Sequence, residues 1–321
     1  MPNTEPPIET VAQADAYKKE ILSAIQGSSF NPLMSFYLTR TLIPEEIEKG
    51  AAGEGGTKIY AIKSYPWGAT TNSQWGFCSI LEAKELLQTM ERVGMPLLLH
   101  GEVHLNAGGT EVDPYDGEKL FFADVLPRLL DAFPNLRVSL EHMSTKVGAE
   151  FMEKNGKDGK LVATITPHHL MYDRTQAFNG GYRSLLHCKP LVKRTEDREA
   201  VRALATKGLL FISAGTDTAP HPESKKFSSN VAFGVFNSPV AIEMYTQVFD
   251  EMGALKQLED FLSINGPRFF GITLANDTVT LVKKDWQVTE PVATSEGAKI
   301  WPVGHKDFGL GNETLKWQMA D

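Results

Sequence analysis

The sequence predicts a parallel α/β fold. Short apolar segments rich in β-branched and aromatic residues alternate with segments of helical period six times along the 321 residues, and such alternation builds a parallel sheet with helical crossovers. A doubly wound sheet suits the pattern, and so does a (β/α)8 barrel missing part of itself. No glycine-rich phosphate loop of the Rossmann or Walker type follows any predicted strand, which argues against a nucleotide-binding fold. No internal repeat is visible.

The elements follow in order. Residues 1–7, MPNTEPP, are proline-rich and start no regular structure. Thr10 to Gln26 has alanines, lysines and aliphatics at helical spacing, and Leu33 to Leu38 reads as a strand. Pro44 to Ala52 is a short helix opened by proline and acidic residues. Ile59 to Ile62 is a buried strand that ends at Lys63. Ile80 to Val93 is an amphipathic helix closed by Gly94. Met95 to Leu99 is a strand ending at His100, and Lys119 to Phe133 a helix. Leu136 to Leu140 is a strand ending at Glu141-His142, and Thr145 to Asn155 a helix. Leu161 to Thr166 is a strand ending in Pro167-His168-His169, followed by an irregular stretch to about Lys193. Glu196 to Lys207 is a helix, and Leu209 to Ser213 a strand leading into Ala214-Gly215-Thr216-Asp217. Pro239 to Gly253 and Leu255 to Ile264 are helices. From about Thr278 the pattern is short strands and turns. The whole of 1–321 is expected to form a single domain, with 278–321 as its strands and tail.

Composition excludes several functions. With 32 basic and 40 acidic residues the net charge is −8, a poor match for nucleic acid or an anionic membrane. The two cysteines form no CxxC pair, so a disulfide scaffold or cysteine zinc site is not expected, and a reducing compartment is favoured. No apolar run approaches the roughly 18–20 residues that span a bilayer. The first residues have neither a basic nor an apolar signal region.

The chemistry sits at the strand ends. Lys63, His100, His142 and Asp217 occupy equivalent places in successive units, and parallel strands bring their carboxyl ends to one face. Taken alone, Lys63 reads as a lysine snorkelling to solvent, and each histidine as a satisfied core or surface residue. Taken together, two histidines and a carboxylate are ligands for zinc or a similar ion. A buried lysine is costly as an ammonium. Addition of CO₂ would convert Lys63 to a carbamate able to bridge two metal ions. Asp217 could then serve as ligand and general base. A long loop of small and polar residues, Trp67 to Ser73, follows the lysine strand. His168-His169 reads as packing and loop hydrogen bonding, Lys189 as a solvated lysine, and Glu102, two residues past His100, either as a carboxylate that orients the ligands or as a surface carboxylate beside the strand end.

With these residues in hand, the chain resembles the class II dihydroorotases of the amidohydrolase superfamily, fungal members especially. The segments that carry the resemblance are MPN with PPI, SFYLT, KSYPWGATTNS, LLLHGEV, LEHMSTK, ATITPHHL, AGTDTAPHP, FGVFNSP and INGPRFFG. The resemblance implies a (β/α)8 TIM barrel and a metal-dependent cyclic amide hydrolase. The implied reaction is the reversible hydrolysis of (S)-dihydroorotate to N-carbamoyl-L-aspartate in pyrimidine biosynthesis. It implies two zinc ions per subunit, with Lys63 as the N6-carboxylated bridge, His100 and His142 as ligands of the second metal, and Asp217 as ligand of the first and as base. Asn3 and His221 resemble residues that hold the substrate carboxylate. Phe233 is expected to offer main-chain groups, and Thr70 and Thr71 match the tip of a closing loop. A homodimer in the cytoplasm is expected, with a small-molecule substrate and no nucleic-acid or membrane partner.

One departure is large. The family opens with a strand carrying Asp-x-His-x-His-x-Arg, and this sequence has no HxH: its eight histidines are 100, 104, 142, 168, 169, 187, 221 and 305. The barrel is therefore expected to lack strand 1 and most of strand 2, leaving the Leu33 and Leu209 strands as open edges and the chain alone poorly soluble. A truncated gene reading with an internal methionine as start is the expected cause. The alternative is a non-catalytic short form that binds or assembles with a partner.

Overall fold

The computed structural model describes residues 2–106, 108–305 and 314–320. Met1 of the MPN segment and residues 306–313 and 321 of the tail lie outside the described residues. The six predicted strands are present: β1 Met34–Tyr37, β2 Ile59–Ser64, β3 Leu97–His100, β4 Val138–Glu141, β5 Leu161–Ile165 and β6 Ile212–Ala214. Their order in the sheet is their order in the sequence, and the registered pairs β1–β2, β2–β3, β3–β4 and β5–β6 are all parallel. The chain falls into two compact units, Met1–Glu141 with Gly159–Leu161, and His142–Asp158 with Val162–Asp321.

In the first unit, Thr10 caps helix Val11–Ala24 in a capping box with Gln13. Helix Pro44–Ala52 begins on a proline with Glu45 and Glu46 in its first turn and ends at Gly53 in the left-handed conformation. The predicted Ile80 to Val93 helix divides into a 3₁₀ turn, Ile80–Glu82, and an α-helix, Lys84–Val93, because Ser79 and Glu82 form their own capping box. The predicted Lys119 to Phe133 helix runs from Gly117 to Ala132, with a π-helical segment, Phe121–Val125, just ahead of Pro127. A proline inside a helix has no N–H to donate, so regular bonding cannot continue through it. Phe36, Leu38, Ile47, Ile62, Leu87, Met90, Leu97 and Val138 are wholly buried. The outer edge of β1 is not bare, since Tyr37 donates its main-chain N–H to Ile8 O at 2.8 Å.

In the second unit, Thr145 caps helix Lys146–Asn155 through Gly148 N at 3.1 Å. Helices Thr195–Ala205, Ala241–Glu251 and Asn265–Phe270 follow. The stretch expected to be irregular holds helices Pro167–Met171 and Arg174–Phe178, capped by Thr166 and Asp173, and a 3₁₀ turn, Ser184–Leu186. Five residues are too few to display a 3.6-residue period. The last predicted strand begins three residues late, because Leu209 O is spent on a turn to Ile212 N. Its open side is not bare either: the Asn265 amide donates to Leu209 O at 3.1 Å and to Ile212 O at 2.9 Å. A core of Tyr172, Leu186, Val192, Val235, Val240 and Met244 reaches the carboxyl-terminal Val288, Val303 and Leu315. The short terminal strands are β7 Leu281–Trp286, β8 Val292–Ala293, β9 Lys299–Ile300 and β10 Leu315–Met319, paired antiparallel as β7–β10 and β8–β9.

Candidate active site

Within the first unit, Lys63 lies inside β2 rather than just beyond it, and only 3% of it is exposed. Its Nζ is 5.4 Å from the centroid of the Tyr65 ring, a favourable place for a cation. Tyr65 in turn donates its hydroxyl to Asn3 Oδ1 at 3.2 Å. Asn3 donates through Nδ2 to Thr71 O at 2.9 Å, and Asn72 Nδ2 donates to Asn3 O at the same distance. The structure thus brings Asn3 onto the loop that carries Thr70 and Thr71. Ser73 braces that loop from below: its hydroxyl donates to Thr70 O at 2.6 Å and accepts from Thr70 N at 3.1 Å.

His100 ends β3, fully buried, with its Nε2 2.8 Å from Oε2 of the buried Glu102. A carboxylate on one ring nitrogen fixes the orientation of the imidazole, which is the usual arrangement of a metal-binding histidine. Glu102 is therefore not the surface carboxylate of its other reading, but is buried against His100.

Within the second unit, His142 is buried and has φ of 46°, and Asp217 is half-buried with φ of 44°. Among the described residues only one other non-glycine, Asn72, has positive φ. All three lie in the motifs singled out above. Such a conformation costs a non-glycine residue about 1–2 kcal/mol and persists only where neighbours enforce it. The enforcement is visible. Thr164 accepts the His142 N–H on Oγ1 at 2.9 Å and the Met143 N–H on its carbonyl at 3.0 Å. Asn237 holds both sides of Asp217, donating through Nδ2 to Thr216 O at 2.7 Å and through its main-chain N–H to Thr218 Oγ1 at 3.2 Å. Gly215 must be glycine, because a Cβ there would stand 2.6 Å from Thr164 Cβ.

His221 donates Nε2–H to Phe233 O at 2.8 Å. Burial holds its imidazole below the usual range, the hydrogen bond opposes that, and the Lys226 charge adds to it. His187 stacks on the Phe233 ring at 4.5 Å, and burial pushes it down to about 4. Lys189, expected in solvent, has its Nζ 5.7 Å from the Phe233 ring centroid.

His168, His169 and Cys188 are buried with one potential ligand atom each, all within 4.8 Å of one another. Their hydrogen bonds point to packing. His169 uses Nδ1 with Thr166 Oγ1 at 2.7 Å and Nε2 with Pro190 O at 3.1 Å, and Cys188 donates to Pro190 O at 3.1 Å. Burial and the charges of His169 and Lys226 hold His168 well below its ordinary range, so its imidazole stays neutral. Sequence patterns did not single out Tyr65, Thr164, Lys226 or Asn237. A lysine in the polar run Glu223-Ser224-Lys225-Lys226 carries no sign of burial.

No protein-family profile matches the chain. A dihydroorotase of Hahella chejuensis is 40% identical over 319 residues, covering 99% of this chain and 88% of that protein. The mitochondrial dihydroorotase of Arabidopsis thaliana is 41% identical over 320 residues, covering 99% and 81%. Among solved structures, Saccharomyces cerevisiae dihydroorotase in complex with 5-fluoroorotic acid matches with a TM-score of 0.87 at 30% identity, over 100% of this chain and 88% of that one. The Campylobacter jejuni dihydroorotase matches at 0.84 and 31% identity, over 100% and 87%. A D-hydantoinase from Thermus sp., with a TM-score of 0.69 at 15% identity over 95% and 71%, shares the fold alone.

Proposed function

We propose that this chain, which belongs to the dihydroorotase family, catalyses the reversible hydrolysis of (S)-dihydroorotate to N-carbamoyl-L-aspartate, a step of pyrimidine biosynthesis. Its fold is the TIM-barrel type of the amidohydrolases, and the family is one of metal-dependent cyclic amide hydrolases. The observation that carries the residue assignment is the enforced left-handed backbone at His142 and Asp217, since strain of this kind gathers at functional groups.

Lys63, His100, His142 and Asp217 would hold the metal, as zinc, and their nitrogen and oxygen donors suit that ion. The buried His100–Glu102 pair at 2.8 Å fits such a site. Two ions would need Lys63 as its N6-carboxylated form, which also removes the cost of a buried ammonium. When bound, the metal supplies Lewis acidity and a water that ionises near neutral pH. Asp217 takes the proton of the attacking water and returns it to the ring nitrogen as the amide C–N bond opens. Asn3, His221 and the main chain of Phe233 hold the substrate, and they would hold 5-fluoroorotic acid as well. Thr70 and Thr71 close over the ring and exclude water. No helix among the described residues is long and apolar enough to cross a membrane, and a cytoplasmic homodimer acting on a small molecule is the assembly we propose.

The test is hydrolysis of dihydroorotate by the purified chain with added zinc and after chelation, alongside K63A. Chelation and K63A should each abolish turnover. Turnover that survives K63A would sink the bridging role of Lys63, and a folded, zinc-bound chain without turnover would favour the non-catalytic partner.

A further inference from the structure

Lys226 closes the four-residue helix Glu223–Lys226 and is 4% exposed. An ammonium has three donors and no acceptor, and all three are used. Nζ donates to His187 O at 3.1 Å, to Ala232 O at 3.0 Å and to Gly234 O at 2.7 Å. Three carbonyl dipoles converging on one point would repel one another without a cation between them.

Two of those carbonyls flank Phe233. The Ala232 carbonyl and the Phe233 N–H belong to the same peptide plane and point in opposite directions in a trans peptide. Drawing Ala232 O onto the ammonium therefore aims the Phe233 N–H away from Lys226. The Phe233 carbonyl is already taken by His221 at 2.8 Å. Its N–H has no protein partner among the described residues. The segment has no freedom to compensate: Gly234 has φ of 141°, a Cβ on it would meet Ala219 Cβ at 2.4 Å, and its N–H donates to His187 O at 2.8 Å.

We infer that Lys226 is a positioning residue that aims the Phe233 N–H at the substrate by holding the carbonyls on either side of it. The inference rests on the proposed role of Phe233 in substrate binding. Lys226 itself touches neither substrate nor metal under this assignment. Methionine in its place keeps the length and removes all three donors.

The experiment measures the dissociation constant of 5-fluoroorotic acid and kcat for dihydroorotate in wild type, K226M, F233P and the double variant, with melting temperatures for each. K226M and F233P should each weaken binding about tenfold, the worth of one lost hydrogen bond, and K226M should leave kcat within about threefold. The double variant should be no weaker than the worse single variant, because both changes remove the same contact. A merely structural role for Lys226 would instead give effects that multiply. Multiplying effects, or unchanged binding in K226M while F233P weakens it, overturns the inference and leaves the Phe233 assignment standing. Unchanged binding in F233P removes that assignment and the inference with it. If K226M does not fold, K226Q, which keeps two donors, should bind with an intermediate constant, and wild-type affinity in K226Q overturns the inference.

Discussion

His221 gives its Nε2 proton to the carbonyl of Phe233 across 2.8 Å. Under the carboxylate role proposed for His221, that bond leaves Nδ1 to meet the substrate. A neutral imidazole that donates from Nε2 has only an acceptor at Nδ1, and a carboxylate needs a donor. Carboxylate binding through His221 must therefore bring a proton onto Nδ1, and burial holds the free residue below its ordinary value. Binding raises that value, so the contact contributes fully below the free value and is lost as pH rises through the bound one. The KM for dihydroorotate should rise as pH rises from below the lowered free value of His221 through its bound one in wild type. The same profile in H221N should be flatter, and parallel profiles would remove His221 from the carboxylate site.

The Glu102 carboxylate against His100 Nε2 predicts a loss in metal binding without a loss in fold. E102Q keeps the shape but not the charge that orients the imidazole. Zinc affinity, titrated against a competing chelator, should fall about 10–100-fold. An unchanged affinity would leave Glu102 with no part in the site.

Thr164 enforces the backbone at His142. T164V keeps the β-branched volume and removes the Oγ1 that accepts the His142 N–H at 2.9 Å. That takes one hydrogen bond from the left-handed residue itself, at a cost of about 0.5–1.5 kcal/mol. Urea denaturation should show the loss as a lower midpoint with an unchanged slope.

Asn3 holds the loop of Thr70 and Thr71 through Thr71 O, and Asn72 and Tyr65 hold Asn3. N3A removes the amide that donates to Thr71 O and the oxygen that accepts from Tyr65. The exposed Trp67 and Trp75 flank the loop, so limited chymotrypsin digestion should cut there several-fold faster in N3A. Equal rates would mean that the loop is held by Ser73 alone.

Lys226 predicts a pH effect on stability. Burial pulls its ammonium down to about 8 from an ordinary 10.5, and the one opposing influence is Cys188. The unfolded chain then binds more protons than the folded one between those values, so the contribution of Lys226 to stability grows as pH rises through that window. His168, His187 and His221 feel its charge, and all three titrate below the window. The difference in unfolding free energy between wild type and K226M should shift toward wild type from pH 8 to 10. A flat difference would place the ammonium in contact with water.

The sequence by itself determined the strands and what stands at their ends. Strand and helix periods are local, so Lys63, His100, His142 and Asp217 could be placed at the carboxyl ends of four of the strands, and the resemblance to the dihydroorotases singled out Asn3, Thr70, Thr71, His221 and Phe233. Tertiary structure alone decided what holds them. Thr164 reads as an ordinary strand threonine, yet it braces His142 and leaves room only for glycine at 215. Asn237 grips Thr216 and Thr218 on either side of Asp217 from about 20 residues away. Lys226 stands in a polar run that looks solvated, and only the convergence of His187, Ala232 and Gly234 carbonyls makes it a buried cation. The covered edges of β1 and β6 were hidden for the same reason. Periodicity records which face of an element is apolar, whereas these contacts join residues far apart in the chain, and no local pattern encodes which distant carbonyl a donor will meet.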